Sequence, residues 1–200
     1  MTKPPKEILW EGKHLSVSRE EGWEYVERKS ATGVAIILAI TDDRQLILVE
    51  QFRKPVGRHM IELPAGLAGD DLEGESLAHA AKRELWEETG YEAQKMIPLM
   101  QGPSSAGLTS EMLTLFWAKD LKKSGPALGD GNECIQVHEI PIEEVELWLK
   151  AKEAEGFLID FKIYTALFLV RNLVRLAPAK PDGSPRQGVN SLGRASHGGR

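Results

Sequence analysis

The feature that most constrains this chain is a predicted helix, residues 75–89, whose apolar stripe runs into carboxylates. At about 100° per residue, Leu77 lies on the same face as Glu84 and Glu88. Glu87 lies within about 60° of Glu84, so all three carboxylates share one face. The C-terminal end of a helix carries a partial negative charge, so glutamates clustered there are repelled by the helix dipole and by one another. Stability alone does not favour this arrangement.

Two explanations remain open for these glutamates when they are taken alone. Runs of Glu commonly form a solvated acidic face without a function. Alternatively, the carboxylates are partly buried, and divalent cations that prefer hard oxygen ligands, Mg²⁺ or Mn²⁺, offset the cost of burying them. Arg83 flanks the cluster and can pair with Glu87 one helical turn later.

The rest of the pattern predicts a layered fold. Alternating apolar residues predict strands, and a 3.6-residue period predicts helices. The predicted strands are residues 14–19, 23–29, 32–40, 46–51, 92–99, 111–118 and 134–139, and the further helices are residues 142–155 and 160–176. Strands in the middle with helices around them favour an α/β/α sandwich with a mixed β-sheet, preceded by a small N-terminal antiparallel β-sheet.

Length and composition predict the domain organisation. A chain of 200 residues supports one well-buried core. We expect residues 1–30 to form the N-terminal strands and residues 31–176 to form the main domain. Residues 177–200 are rich in Pro, Gly, Ser and Arg. They have little apolar surface to bury, and we expect them to be disordered.

Net charge, apolar segment length and cysteine content indicate which binding partners and which cellular compartment to expect. The net charge of −5 gives no sign of the basic face that nucleic-acid-binding proteins show, so we expect no nucleic-acid partner. The apolar stretch 163–170 is about half as long as a membrane span, so we expect no membrane association. The first ten residues contain no apolar secretory segment. The lone Cys134 fits a reducing compartment, and we expect a cytoplasmic protein.

Residues 69–91 match the spacing G-x5-E-x7-R-E-U-x-E-E-x-G-U, in which U is a bulky apolar residue. Eight positions from Gly69 to Gly90 fit, and Tyr91 stands where Ile, Leu or Val is usual. This stretch resembles the Nudix box, and the chain is identified as a member of the Nudix hydrolase superfamily. Further segments resemble those of ADP-ribose pyrophosphatases, and they are residues 23–29, 49–66, 104–111 and 129–137.

The resemblance implies hydrolysis of a nucleoside diphosphate linked to another moiety, with Mg²⁺ as cofactor or Mn²⁺ as its substitute. It favours cleavage of ADP-ribose to AMP and ribose 5-phosphate. Broader hydrolysis of nucleoside diphosphate sugars, such as GDP-mannose or ADP-glucose, is the alternative. A ligand-binding regulator that has lost hydrolysis is a remoter alternative. Relatives form homodimers that exchange N-terminal strands, so we expect residues 1–30 to be exchanged in a homodimer.

The same resemblance implies a set of metal ligands. They are the side chains of Glu84, Glu87 and Glu88 and the backbone carbonyl of Ala65. Mg²⁺ accepts carbonyl oxygens and keeps several waters, so a mixed set of this kind is physically reasonable. The chain departs from close relatives at Gly66, which lies three residues before the glycine that opens the box. The intervening loop, residues 67–69, looks inserted.

The catalytic residues are also implied by the resemblance. Arg83 is expected to hold the carboxylates in orientation, with an ordinary i,i+4 salt bridge as the alternative. Glu87 is assigned to catalysis as well as to metal binding. In the subfamily a glutamate from a later loop supplies the base, which points to Glu133, with Asp130 as the less favoured substitute. Nearby glycines predict a segment that can close over the substrate.

Five residues outside the box are predicted to bind the substrate. They are Trp23, Arg28, Arg53, Glu62 and Glu111. Arg53 can clamp phosphate with its planar guanidinium group. Arg28 can do the same or act across a dimer. Trp23 is predicted to stack on adenine, with a place in the core as the alternative. Glu62 and Glu111 are predicted to contact ribose or metal-bound water.

Overall fold

The computed structural model describes residues 5–69, 74–127 and 134–176, with side chains as far as Arg171. The tail predicted to be disordered, residues 177–200, lies outside the described residues, as do the predicted base Glu133 and its substitute Asp130. The described part of the chain forms eleven strands and three helices. In chain order they are β1 (Glu7–Glu11), β2 (Leu15–Glu20), β3 (Trp23–Arg28), β4 (Gly33–Ala39), β5 (Gln45–Arg53), β6 (Arg58–Glu62), β7 (Ala65–Ala68), α1 (Leu77–Thr89), β8 (Tyr91–Pro103), β9 (Met112–Lys123), β10 (Gln136–Pro141), α2 (Val145–Ala154), β11 (Leu158–Ile159) and α3 (Lys162–Leu176).

The strands form three sheets. β1, β2 and β3 make an antiparallel sheet at the N-terminus. A second sheet has the order β10, β5, β6, β11, with β11 parallel to β6 and the other neighbours antiparallel. The third has the order β7, β4, β9, β8, with β4 parallel to β9. The predicted mixed sheet is therefore confirmed, in two four-stranded parts, and so is the antiparallel N-terminal sheet.

Helices cover both faces of the central strands. Along β4, Ala35 and Ile37 pack with α1, whereas Ile36 and Leu38 pack with α2 and α3. Successive side chains of a strand point to opposite faces, so a strand that is apolar at every position is buried on both sides. The helix residues buried against the sheets are Ala80, Ala81 and Leu85 of α1, Val145 and Leu149 of α2, and Ile163, Ala166 and Leu167 of α3. This layering confirms the predicted α/β/α sandwich.

The helix α1 begins two residues later than predicted, because Ser76 caps it. The Ser76 hydroxyl accepts a hydrogen bond from the His79 backbone N–H at 3.2 Å and so satisfies one N–H group of the first turn. Gly90 ends the helix in the left-handed conformation, with φ of 74°, at the predicted position. Glu75 therefore lies outside the helix, and its carboxylate folds back onto Arg83.

Four short strands were not expected from the sequence pattern, and two of them, β6 and β7, carry residues of the site. The sequence of β7 is AGLA, whose small residues have little preference for strands. It becomes a strand by pairing with β4. The sequence of β6 is RHMIE, and it pairs with β5 across a turn that begins after Arg53. Partners elsewhere in the chain thus decide both strands.

The N-terminal sheet is attached to the loop that precedes β9. The Val26 N–H donates to the Leu108 carbonyl at 2.8 Å, and the Ser110 N–H donates to the Val26 carbonyl at 3.2 Å. These bonds bring the end of β3, and with it Arg28, next to Glu111. The sheet therefore contributes a side chain to the main domain.

The helix α3 has two different faces. Ile163, Leu167 and Val170 are buried in the core, whereas Phe161, just before the helix, and Phe168 are exposed. None of the helices in the described ranges has the length and apolar character needed to cross a membrane.

Candidate active site

A cleft of about 790 Å³ lies where β3, β6, β7, α1 and the start of α3 meet. Its walls contain nine of the residues predicted from the sequence. They are Arg28, Arg53, Glu62, Ala65, Arg83, Glu84, Glu87, Glu88 and Glu111. The fold thus brings into one site residues that lie as far apart in the chain as Arg28 and Glu111, which are 83 positions from each other.

Two predicted residues are not found in these walls. Trp23, at the start of β3, is 67% exposed and lies outside the cleft of its own chain, so the alternative of a place in the core is wrong. Its stacking on adenine stays a prediction. Glu133 lies outside the described residues, and its assignment as the base stays a prediction. Ile135, two residues later, lines the cleft.

Glu88 is a buried carboxylate in the wall of the cleft. It is 7% exposed, and its Oε2 accepts a hydrogen bond from the Ala65 N–H at 3.0 Å. Burial is the main reason why the pKa of Glu88 rises to about 8. The Ala65 N–H favours the ionised form, whereas the negative charge of Glu84 opposes it. Ionisation of Glu88 at neutral pH therefore calls for additional positive charge beside it.

Arg83 holds three carboxylates with one guanidinium group. Its Nη1 lies 2.8 Å from Glu84 Oε1 and 2.9 Å from Glu87 Oε2. Its Nη2 lies 3.3 Å from Glu75 Oε2 and donates to the Leu67 carbonyl at 3.1 Å. The Glu75 side chain is 1% exposed, and hydrogen bonds from Arg83 lower its pKa. These contacts tie α1 to β7 and extend well beyond a single i,i+4 salt bridge.

The donor set of the cleft suits a divalent cation. Glu84, Glu87 and Glu88 supply carboxylate oxygens, and Ala65 lies beside Glu88. Mg²⁺ and Mn²⁺ prefer such hard oxygen ligands. Within the described ranges, no three His, Cys, Asp or Glu side chains are already arranged around one metal position. Arg83 instead holds two of the three glutamates, so we expect their side chains to rotate when a cation binds.

Two further arginines line the cleft, and each contacts a glutamate. Arg28 Nε lies 2.5 Å from Glu111 Oε1, and Arg53 Nε lies 2.5 Å from Glu62 Oε2. The glutamates hold the guanidinium groups in fixed directions, and a planar guanidinium suits bidentate binding of phosphate. The predicted contacts of Glu62 and Glu111 with ribose or water stay predictions.

Ten described residues of the cleft wall were not predicted as catalytic, metal-binding or substrate-binding residues. They are Val34, Ile36, Leu63, Gly66, Leu67, Ser104, Leu113, Ile135, Asp160 and Lys162. Ser104 and Ile135 lie in the segments 104–111 and 129–137, which resemble those of ADP-ribose pyrophosphatases, but the resemblance assigned no role to either residue. Lys162 did carry a signal, because a lysine in the first turn of a helix opposes the helix dipole.

Gly66 allows Glu84 to lie close against β7. A Cβ atom at residue 66 would overlap the Glu84 carboxylate. In Gly66→Ala we expect the Glu84 side chain to move away, since it is the flexible partner. The affinity for Mn²⁺, measured by calorimetry, should fall at least about tenfold. The free energy of unfolding should change by less than about 1 kcal/mol, since the backbone at residue 66 is not displaced.

Gly125→Ala is the matched control for this variant. A Cβ atom at Gly125 meets no other atom within 4 Å, and the residue is not part of the cleft wall. Wild-type affinity for Mn²⁺ is expected in the control. Wild-type affinity in Gly66→Ala as well would show that Glu84 is not a metal ligand.

The amino-acid sequence is similar to those of two curated bacterial proteins. The methanol dehydrogenase activator of Bacillus methanolicus is 38% identical over 122 residues, which cover 60% of this chain and 64% of that protein. The ADP-ribose pyrophosphatase of Bacillus subtilis (strain 168) is 36% identical over 123 residues, again 60% of this chain and 64% of that protein. The chain thus spans just under two thirds of the length of these curated relatives.

A solved structure and a family model also match this chain. A solved structure described as an ADP compounds hydrolase matches with a TM-score of 0.68, and the match covers 87% of this chain and 94% of the other. At 23% identity this likeness shows the shared fold. The NUDIX domain family matches residues 29–161, a range that contains α1 and every described residue of the cleft wall except Arg28 and Lys162. The chain therefore belongs to the NUDIX domain family.

Proposed function

We propose that this protein is a Mg²⁺-dependent pyrophosphohydrolase that cleaves ADP-ribose to AMP and ribose 5-phosphate. The observation that carries the proposal is the buried carboxylate of Glu88, which shares one cleft with further glutamates and three arginines. Carboxylates that can hold a cation, beside guanidinium groups that can hold phosphate, suit the hydrolysis of a diphosphate. Similarity to an ADP-ribose pyrophosphatase supports the choice of substrate.

In the proposed reaction, water attacks one phosphorus atom, the P–O bond to the bridging oxygen breaks, and two monophosphates leave. Glu84, Glu87, Glu88 and the Ala65 carbonyl would hold Mg²⁺, with Mn²⁺ as its substitute. When bound, the cation supplies positive charge against the diphosphate. Arg28 and Arg53 bind non-bridging phosphate oxygens while Glu111 and Glu62 keep them oriented.

Two groups prepare the attack without holding phosphate. Arg83 keeps Glu84 and Glu87 in orientation through its Nη1 contacts. Glu133 is proposed to accept the proton of the attacking water, in keeping with the glutamate that the family places in this later loop. A base of this kind contributes about 10²–10⁴-fold to the rate.

The test is product analysis by chromatography. The purified protein is incubated with Mg²⁺ and, separately, ADP-ribose, ADP-glucose, GDP-mannose, NADH, diadenosine polyphosphates and 8-oxo-dGTP. We expect ADP-ribose to be the preferred substrate, AMP to appear, and chelator to stop the reaction. Equal or faster turnover of other sugar nucleotides would replace the ADP-ribose assignment by a broader nucleoside diphosphate sugar hydrolase.

A regulator is the second candidate, because a relative is named as an activator of another enzyme. The double change Glu87→Gln with Glu88→Gln distinguishes the two functions. In a hydrolase it removes turnover while the protein stays folded. If the protein is a binding module, the double variant keeps its regulatory effect on the partner enzyme. The wild type would in that case hydrolyse none of the nucleotides tested above.

We also propose that the protein works as a cytoplasmic homodimer to which residues 1–30 contribute exchanged strands. The strong exposure of Trp23 supports a binding role outside its own cleft. The exposed, unpaired Cys134 fits a reducing compartment. Size-exclusion chromatography with light scattering tests the dimer, and a monomer at assay concentration would contradict it.

A further inference from the structure

Lys162 opens the helix α3 in the wall of the cleft. The first turn of α3 contains no acidic residue, so a lysine there meets the positive end of the helix dipole. Lys162 also lines an adjoining apolar pocket of about 130 Å³, together with Met100 and Leu115. A lysine can lay its methylene chain along such apolar surface while its ammonium group reaches polar surroundings. The helix dipole by itself does not favour this placement.

A buried aspartate holds the ammonium group of Lys162. Asp160 is 4% exposed, and its Oδ2 lies 2.5 Å from Lys162 Nζ. Its Oδ1 accepts a hydrogen bond from the Lys162 backbone N–H at 2.9 Å. The Asp160 N–H donates to the carbonyl of Ile61 at 3.0 Å, next to Glu62. The position of the ammonium group is therefore set relative to the strand that carries Glu62.

Lys162 differs from the other cations of the cleft. Among the described residues that line it, Lys162 is the one lysine, beside Arg28, Arg53 and Arg83. It comes from the α3 side of the sheets, whereas the carboxylates of α1 come from the opposite side. Its side chain remains 30% exposed, so a ligand can reach it. A compact ammonium group suits a single phosphate oxygen.

We propose that Lys162 binds a non-bridging phosphate oxygen of the substrate, with Asp160 as the residue that positions its ammonium group. This inference rests on the proposed diphosphate substrate and adds a phosphate contact from α3 to those proposed from β3 and β5. Because the cation is held in place before the substrate arrives, little side-chain freedom is lost on binding. The contact is made in the bound substrate, so it should act on KM rather than on kcat.

The test is the variant Lys162→Met, whose side chain is of similar length and carries no charge. We expect KM for ADP-ribose to rise roughly tenfold, as for the loss of one charged hydrogen bond, with kcat within about twofold of wild type. The Kd of an analogue with a methylene group between the two phosphorus atoms should rise by the same factor. Lys162→Arg keeps the charge and the ion pair with Asp160, and should give an intermediate KM. If Lys162→Met does not fold, Lys162→Gln, which also lacks the charge but can accept or donate hydrogen bonds beside Asp160, is measured in its place, and a wild-type KM there overturns the proposal.

Lys95→Met is the matched control, because Lys95 also pairs with an aspartate, Asp120, but lies outside the cleft. It should keep the wild-type KM and Kd. A merely structural role of Lys162 would lower the melting temperature and leave both constants unchanged, which overturns the proposal. Absence of ADP-ribose turnover in the wild type would count against the proposed function. Binding of the analogue would then still decide the role of Lys162, because equal Kd values, or no binding at all, overturn it.

Discussion

Glu88→Gln is expected to lower kcat/KM for ADP-ribose by more than about 100-fold, beyond the range for outer-shell partners of a metal. The amide oxygen still accepts the hydrogen bond from the Ala65 N–H, which is 3.0 Å long in the wild type, so the fold is kept. The variant lacks a negative charge and contributes less to binding a divalent cation. It also removes an ionisable group from a buried position, so the metal-free protein should become more stable.

The contribution of protonated Glu88 to the stability of the metal-free wild type depends on pH, with a defined sign, and the advantage of Glu88→Gln grows as that contribution is lost. The pKa of Glu88 is about 8 in the folded protein, against an ordinary value of 4.5. Between these values the folded state keeps a proton that the unfolded state releases. The stabilisation is complete below about pH 4.5 and is lost as the pH rises through about 8, by at most about 1.4 kcal/mol per pH unit.

Thermal melts in the presence of chelator measure this effect. The wild type should melt several degrees lower at about pH 8.5 than at about pH 5.5, and Glu88→Gln should lose most of that difference. Added Mg²⁺ should stabilise the wild type more than the variant. Glu92→Gln, at an exposed position of β8, is the control and should match the wild type in both assays. Turnover by Glu88→Gln within tenfold of wild type would contradict a metal-binding role for Glu88.

Arg83→Ala should cost about 3–5 kcal/mol of stability, because it removes the arginine that pairs with the buried carboxylate of Glu75. The Glu75 side chain, 1% exposed, loses its main partner, and the Leu67 carbonyl loses a donor. Glu84 and Glu87 lose the cation that separates them and repel each other. The melting temperature is expected to fall by on the order of 10 °C, and turnover should fall with it even below the melting range.

Arg83→Lys is the conservative variant for this prediction, and Lys82→Ala is its control. Lysine keeps the charge but has no planar fork, so it should recover only part of the stability and turnover. Lys82, the preceding residue, is not in the cleft wall and donates to the Gln94 carbonyl. Lys82→Ala should therefore stay within about 2 °C of the wild-type melting temperature. A similarly small change in Arg83→Ala would show that the network adds little to stability.

Parts of the fold and of the site could be predicted because they depend on local pattern. The end of α1 at Gly90 follows from a glycine after the last apolar position. The alternation of β4 between two buried faces follows from its unbroken apolar run. The strand β7 could not be predicted in this way, because AGLA forms a strand only by pairing with β4. The helix α1 begins two residues later than predicted because the Ser76 hydroxyl caps its first turn.

The sequence by itself determined which chemistry the chain carries, since the spacing of glutamates and arginines along a helix is a local property. Only the tertiary structure decided which groups meet and how deeply they are buried. The raised pKa of Glu88 depends on desolvation by β7 and its surroundings. The placement of Lys162 in the cleft depends on Asp160 and its bond to β6. Desolvation and pairing depend on residues distant in the chain, and spacing along one helix carries no information about them.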